Sequence, residues 1–352
     1  MLLVEAPSIN ARCDPAQSYT VAWICPTPTS LTATKLILTK LHGRPQKTNN
    51  PSDSTIYTLG EIYGHNVVIA TLPFNQQHGI APAAEVVTNL TFTFPNVKFG
   101  LLVGTASAVP IQGKKQVYLG DIVVMKGDGI KHCGVLQYDY GKDVQGQRFQ
   151  KTHFLNGAPR ILQSGITQLV SWDCRGTKGL AEDIENQIRH KLRTVDDLEV
   201  QMRFSRPAPD KDRLFRAEIE HKSGSEGCGL RCDQDSIYDY GKLVHRDPPE
   251  SLSIHYGLIG SGNKLIRNAL ERDRLAQEGD DAPYLCFETE AAGVMNKLPC
   301  LVVRGISNYA DSHGDEDDEV WEPYAALVAA VYGSALLSRI TPSEIQKGCG
   351  CS

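Results

Sequence analysis

The chain is poor in the features that mark membrane, exported and nucleic-acid-binding proteins. Its longest mostly apolar run, 325–337, falls short of the roughly 20 residues needed to cross a bilayer. Its first residues, MLLVEAPSINARCDPAQ, show no basic start followed by a long apolar stretch, so a secretory signal is not expected. There is no excess of positive charge: 36 Lys and Arg stand against 41 Asp and Glu, a formal net charge of −5. That balance argues against a nucleic-acid-binding face, which is usually basic. No Walker loop and no G-x-G-x-x-G fingerprint occur, which weakens nucleotide-triphosphate and dinucleotide readings. No internal repeat is evident. What is present is ordinary: 41% hydrophobic and 22% charged residues over 352 positions. Disorder, collagen and coiled coil are poor fits to such a composition, and the length allows a substantial core. A cytoplasmic protein without nucleic-acid or membrane partners is expected.

Ten cysteines lie scattered along the chain. Without an export signal they are expected to be mostly reduced. Cys228 and Cys232 lack a second well-spaced pair, so no metal site is expected. The last four residues, Cys349 to Ser352, have the outline of a prenylation box. Gly350 and Cys351 fit its two aliphatic positions poorly.

Residues 1–18 read as an N-terminal arm. A β-rich apolar run at 19–26 ends at Pro26 and leads into a helical stretch at 30–41, then a Pro- and Asn-rich loop at 43–54. Strand-like segments follow at 54–59, 61–62 and 66–72, and a helix at 79–94. LLVG (101–104) is apolar without alternation, as a strand buried on both faces should be. Further strands are expected at 117–125 and 134–141. Residues 177–250, rich in charge, Gly and Pro, read as a loop-rich insertion on the rim, with a helix at 180–192. The core resumes with a strand at 253–262, a helix at 264–277, a strand at 284–288, a helix start at 290–296 and a strand at 300–308. A closing helix spans 321–340, and 343–352 form a tail. Strands alternating with helices predict a largely parallel α/β sheet.

Eight segments carry a family resemblance: YTVAWIC, YTLGEIYGHNVVIATLP, FGLLVG, YLGDIVV, GVLQYDYGK, IHYGLIGSGNKLI, LCFETEAAGVMN and LVVRGISNYADSH. In this order, over 19–340, they resemble the purine nucleoside phosphorylase and methylthioadenosine/S-adenosylhomocysteine nucleosidase superfamily. The nucleoside-phosphorylase-like domain of filamentous fungi is the most similar form. The resemblance implies a three-layer α/β/α sandwich around a mixed, partly closed central sheet. It also implies a nucleoside-phosphorylase-like enzyme, acting as a homo-oligomer on the N-glycosidic bond of a purine nucleoside. No organic cofactor is implied, and inorganic phosphate is the co-substrate if the reaction is phosphorolysis.

The same resemblance assigns candidate residues. Glu290 matches the carboxylate that accepts hydrogen bonds from the ribose 2′- and 3′-hydroxyls, and it stands at a strand-to-helix junction where negative charge is tolerated. Glu288 projects to the same side if the segment is extended. Phe287 and Thr289 flank them, and Thr289 stands where relatives carry a Met under the sugar. Asn308 takes the place of the strand-end Asp that protonates purine N7 in nucleosidases. An amide donates hydrogen bonds but has no transferable proton. Asp311 reads as a capping or loop carboxylate. Ser30 takes the place of the Glu that activates water in the segment A-L-P-I-E-L; its structural alternative is a helix N-cap. Relatives carry G-I-G-G-G-V-P where this chain has GTASAVP (104–110). There Thr105 and Ser107 offer hydroxyl donors, while Ala106, Ser107 and Ala108 add β-carbons. Leu102 stands where certain phosphorylases place an arginine. His78 is a pocket candidate, with a structural loop histidine as the alternative. The candidate catalytic set is Asn308, Glu290, Ser30 and His78; the candidate ligand-binding set is Thr105, Ser107, Phe287, Glu288, Thr289, Glu290 and Asn308.

Scaffold and sugar carboxylate match the family pattern, whereas water activator, general acid and glycine loop depart from it together. Three readings follow: a purine nucleoside enzyme with altered catalytic residues, the same fold turned to an isomerase, cyclase or lyase step of secondary metabolism, and a nucleoside-binding module without turnover.

Overall fold

The computed structural model describes residues 15–43, 53–73, 79–112, 115–147, 149–152, 154–171, 175–221, 244, 246, 249, 251–277 and 283–347. The strands are β1 (Val21–Cys25), β2 (Lys40–Leu41), β3 (Thr58–Ile62), β4 (His65–Thr71), β5 (Phe99–Ala108), β6 (Ile111–Gln112), β7 (Lys115–Gln116), β8 (Ile122–Met125), β9 (Val135–Gln137), β10 (Gly141–Lys142), β11 (Gln150–Lys151), β12 (Ile254–Ser261), β13 (Tyr284–Glu288) and β14 (Cys300–Asn308). The helices are α1 (Pro28–Ile37), α2 (Ile80–Thr93), α3 (Arg160–Ser171), α4 (Thr177–Arg193), α5 (Leu198–Phe204), α6 (Ala269–Gln277), α7 (Ala291–Val294), α8 (Gly314–Leu337) and α9 (Pro342–Lys347).

The main sheet runs β13-β12-β8-β14-β5-β1-β4-β3-β2, with β9 beside β12. β1 pairs in parallel with β4 and β5, and β14 in parallel with β5. β1 and β14 are buried at every position, which is why their sequences show no polar alternation. β13 also meets β5 antiparallel, Cys286 opposite Ala108 and Phe287 opposite Ser107. The sheet therefore closes through β13, β12, β8, β14 and β5 and stays open from β1 to β2. α1, α3, α4 and α5 gather on the closing helix α8, while α2 packs on β4 and α7. This is the expected three-layer α/β/α sandwich with a mixed, partly closed sheet.

α8 lies directly on β14. A Cβ on Gly305 would come within 1.9 Å of the Ala325 carbonyl oxygen, so only glycine permits that approach. By length and composition α8 could cross a membrane, but 89% of its apolar window is buried inside the protein. It is a core helix, and it begins at Gly314, earlier than the expected 321.

Further expectations change: the helix expected at 30–41 ends at Ile37, with Lys40 and Leu41 in β2, and the helix expected at 264–277 begins at Ala269. The strand expected at 117–125 begins at Ile122, because the Asp121 carboxylate accepts the Tyr118 N–H and folds 118–121 into a turn. The segment resembling the glycine loop is strand: β5 continues to Ala108 and closes on β13. Within the 177–250 insertion the helix expected at 180–192 is formed, but it does not lie on the rim. α4 buries Leu180, Ile184, Ile188 and Leu192 at a spacing of one helical turn and packs on α8.

Candidate functional site

The C-terminal ends of β1, β4, β5, β12, β13 and β14 converge on a cleft of about 1000 Å³. Ligands of open α/β sheets characteristically bind at strand ends of this kind. Seven of the candidate residues share its wall: Thr105, Ser107, Phe287, Glu288, Thr289, Glu290 and Asn308. Ser30 does not reach the wall; it is 2% exposed and sits behind Thr27. Nor is it the N-cap. Thr27 holds that position, its Oγ1 accepting the Ser30 N–H at 3.1 Å, and Pro28 follows at the first helical position, where a missing N–H costs nothing. His78 lies outside the described residues.

One side of the cleft is built on β13 and β14. Glu288 accepts the backbone N–H groups of Glu290 and Ala291 at 3.1 and 3.0 Å. Arg304, fully buried in β14, bridges both carboxylates: its Nη2 donates to Glu288 and, at 2.9 Å, to Glu290. Thr289 turns its hydroxyl to the other oxygen of Glu290, so the position that relatives fill with Met here holds the carboxylate. Burial pushes the Glu288 carboxyl up; Arg304 opposes this and Glu290 reinforces it. Burial works against the charge on Arg304, but the two glutamates outweigh it and raise its pKa. The guanidinium needs space from β5. A Cβ on Gly104 would stand 2.8 Å from Arg304 Nη1 and from Pro26 Cδ.

The other side comes from the starts of α1 and α8. Asn308, at the end of β14, donates from Nδ2 to Asp318 at 2.9 Å and accepts the Ala310 N–H at 2.9 Å. Ala310 has a φ of 55°, a left-handed conformation of the strained kind found at functional turns. Arg267 clamps Asp318 at 2.5 Å and Asp315 at 3.0 Å, with a longer contact of 3.4 Å to Ser107 Oγ. Glu322, one helical turn beyond Asp318, accepts Thr27 Oγ1 at 2.9 Å and Thr29 Oγ1 at 3.3 Å. Burial raises its carboxyl; the Thr27 hydroxyl pulls it down and Asp318 adds to the rise.

Arg304, Arg267, Asp318, Glu322, Thr27 and Thr29 were not among the sequence candidates. Arg304 left a signal, a lone arginine inside the apolar run CLVVRGISN, since arginine is almost never fully buried unless paired. Glu322 left none, because its partner Thr27 lies 295 residues away. Among the described residues no group of three or more His, Cys, Asp or Glu is placed to hold a metal ion.

No protein-family model matches the chain. A "Nucleotide-binding leucine-rich repeat (NLR)-like protein" of Hyaloscypha variabilis is 38% identical over 330 residues, 94% of this chain and 30% of that protein. The chain thus spans under a third of the length of the curated relative it matches. Among solved structures, the 5′-methylthioadenosine/S-adenosylhomocysteine nucleosidase of Neisseria meningitidis, in complex with methylthio-immucillin-A, superposes with a TM-score of 0.54 at 14% identity. The match covers 91% of this chain and 99% of that one. The Streptococcus pneumoniae nucleosidase gives 0.55 at 16% identity, over 91% and 99%. The futalosine hydrolase of Helicobacter pylori gives 0.54 at 11%, over 92% and 99%. With its partly closed mixed sheet and its cleft at the strand ends, the chain has the fold of the purine nucleoside phosphorylase and methylthioadenosine/S-adenosylhomocysteine nucleosidase superfamily.

Proposed function

We propose that the chain hydrolyses the N-glycosidic bond of a purine nucleoside. The observation that carries this reading is the charge of the cleft. Four carboxylates (Glu288, Glu290, Asp318 and Glu322) face two guanidinium groups (Arg267 and Arg304), a formal excess of two negative charges. Glycosidic cleavage passes through a cationic sugar, which such a field stabilises. The same field opposes entry of a phosphate dianion. Arg267, beside Ser107, is already neutralised by Asp315 and Asp318, so water is favoured over phosphate as the attacking group. Glu290 holds the ribose hydroxyls, Phe287 lines the pocket, and Asn308 donates or accepts at the base. No step of this chemistry requires an organic cofactor or metal. A cytoplasmic homo-oligomer goes with this reading.

The NLR-like relative favours a second reading, in which the domain binds a nucleoside as part of a larger protein without turning it over. One experiment separates the two. Adenosine, inosine and guanosine are incubated with the protein, with and without phosphate, and products are followed by liquid chromatography–mass spectrometry; calorimetric titration runs in parallel. Release of free base without phosphate dependence is expected. Glu290→Gln should weaken ribonucleoside binding about 10–100-fold, the value of a charged hydrogen bond. Binding without release supports the second reading. Unchanged affinity in Glu290→Gln sinks the sugar-holding role.

A further inference from the structure

Hydrolysis needs a base for the attacking water, and Ser30 cannot serve: its hydroxyl is buried and points to Thr27. The structure offers a carboxylate on the same side from another element. We propose that Glu322, on the closing helix α8, is the catalytic base that activates water in this cleft; the inference rests on the hydrolytic reading above.

Three observations place it there. The first is its tethering. Thr27 and Thr29, in the turn that opens α1, each donate a hydroxyl to a different oxygen of Glu322. Since Thr27 spends its single proton on Glu322, the 3.0 Å contact between Ser30 Oγ and Thr27 Oγ1 must run from Ser30 to Thr27. The hydroxyls thus form a chain that ends on the carboxylate and fixes its orientation. Each carboxylate oxygen retains a second lone pair for a water.

The second is the occupation of its neighbours. Glu288 is held by backbone N–H groups and Arg304, Glu290 by Arg304 and Thr289, and Asp318 by Arg267 and Asn308. Each of these three already has a carboxylate oxygen bonded to a guanidinium. Among the described residues the hydrogen-bond donors to Glu322 are neutral hydroxyls.

The third is the field around it. Among the described residues, the charged groups that act most on Glu322 are Asp318 on its own helix, which raises its carboxyl, and Arg203 from α5, which lowers it. Burial raises the carboxyl above its ordinary value, which makes the carboxylate a stronger base.

The step balances as follows. A water oxygen bonds to C1′ as the C1′–N bond breaks. One water proton passes to Glu322, and the other stays on the new 1′-hydroxyl. The bonding pair leaves with the purine, which takes a proton from bulk water, and Glu322 returns its own proton to bulk water.

The test uses the purified full chain with the nucleosides above. Glu322→Ala should lower base release about 10²–10⁴-fold, the usual value of a general base. Sodium azide, a nucleophile that needs no deprotonation, should restore cleavage in this variant with a glycosyl azide as product, and should leave the wild-type rate nearly unchanged. Glu322→Gln, closer in size, should show the same loss, together with a residual rate that no longer falls on the acid side of the pH profile. It covers the case in which the Ala variant does not fold. A folded variant that keeps hydrolysis within a few-fold of an active wild type overturns the inference and leaves the hydrolytic reading standing. Failure of azide to restore any cleavage also overturns it. A wild type that releases base from none of the nucleosides overturns both.

Discussion

The two walls of the cleft are built in different ways. The β13/β14 wall is dry: Glu288, Glu290 and Arg304 are 6%, 4% and 0% exposed, and both carboxylates share the one guanidinium. The α1/α8 wall is half-wet. The side chains of Asp318 and Arg267 retain 28% and 22% of their exposure, and hydroxyls do much of the bonding. On the first wall no member can change alone, because removal of one leaves another charge buried without a partner. On the second, a polar group sits at a helix start, where exchange costs about 1 kcal/mol. Glu290, the residue expected to match the family carboxylate, and its neighbour Glu288 lie on the dry wall. The departures Ser30 and Asn308 lie on or beside the wet one. Thr289 is the exception, a departure on the dry wall, and it is accommodated because its hydroxyl has a carboxylate to bond.

The strongest way to break this contrast is Arg304→Met. It removes the cation from between two buried carboxylates and should destabilise the protein by about 3–5 kcal/mol. The loss should depend on pH. Burial and Glu290 already push the Glu288 carboxyl up, and without Arg304 only the weaker pull of the Ser261 hydroxyl and the Ala291 N–H opposes them. A folded-state pKa above the unfolded value contributes stability that is fully present below the unfolded pKa and is lost as pH rises through the folded one. Urea unfolding should therefore show the variant closest to wild type near pH 4–5 and furthest from it near pH 8. A deficit under 1 kcal/mol that is flat with pH would show that Arg304 is not the counter-ion of this wall.

The carboxylates of the dry wall and its strands were readable from sequence because they are local or uniform, whereas Arg304, which pairs the carboxylates, was not singled out. β1, β5 and β14 are apolar runs of the kind that only a strand buried on both faces requires, and Glu288 and Glu290 sit two residues apart on one strand end. The helix at 180–192, within α4, was also expected from sequence. Its burial was not, since that depends on the face of α8 that covers it. The wet wall was unreadable for a related reason. Thr27 and Glu322 meet only because β14 brings the start of α8 alongside α1. No spacing in the chain encodes a contact across 295 residues. The glycine-loop segment misled in the opposite direction: the added β-carbons of Ala106, Ser107 and Ala108 fit an extended strand, and β13 was there to pair with it.

Asn308 stands where the walls meet, and Asn308→Asp sharpens the comparison by restoring a transferable proton. The new carboxyl would lie about 3 Å from Asp318 Oδ1, where the Asn308 amide now donates. Two carboxylates that close raise the pKa of one of them, so the residue would hold its proton to higher pH than an isolated Asp. That is the state a general acid needs. Adenosine hydrolysis at pH 7 should rise about 100-fold, measured as free adenine released per enzyme. A variant that binds adenosine as wild type does but gains nothing would show that the leaving base does not sit against residue 308.

The smallest effect, and the finest probe of the wet wall, is Thr27→Ala. Thr27 caps α1 through the Ser30 N–H, and loss of a threonine cap costs about 1 kcal/mol. It also donates to Glu322, and that bond holds the Glu322 carboxyl down against burial. Without it the carboxyl rises further. The acid side of the pH–rate profile should therefore move to higher pH while the rate above it is largely kept. Thr27→Ser, which retains both hydrogen bonds, should leave stability and profile nearly unchanged. Urea unfolding and a pH–rate series on the three proteins read both effects. A loss of 3 kcal/mol or more in Thr27→Ala would mean that the wet wall is as tightly coupled to the fold as the Arg304 cluster, and the distinction between a fixed wall and an exchangeable one would not hold.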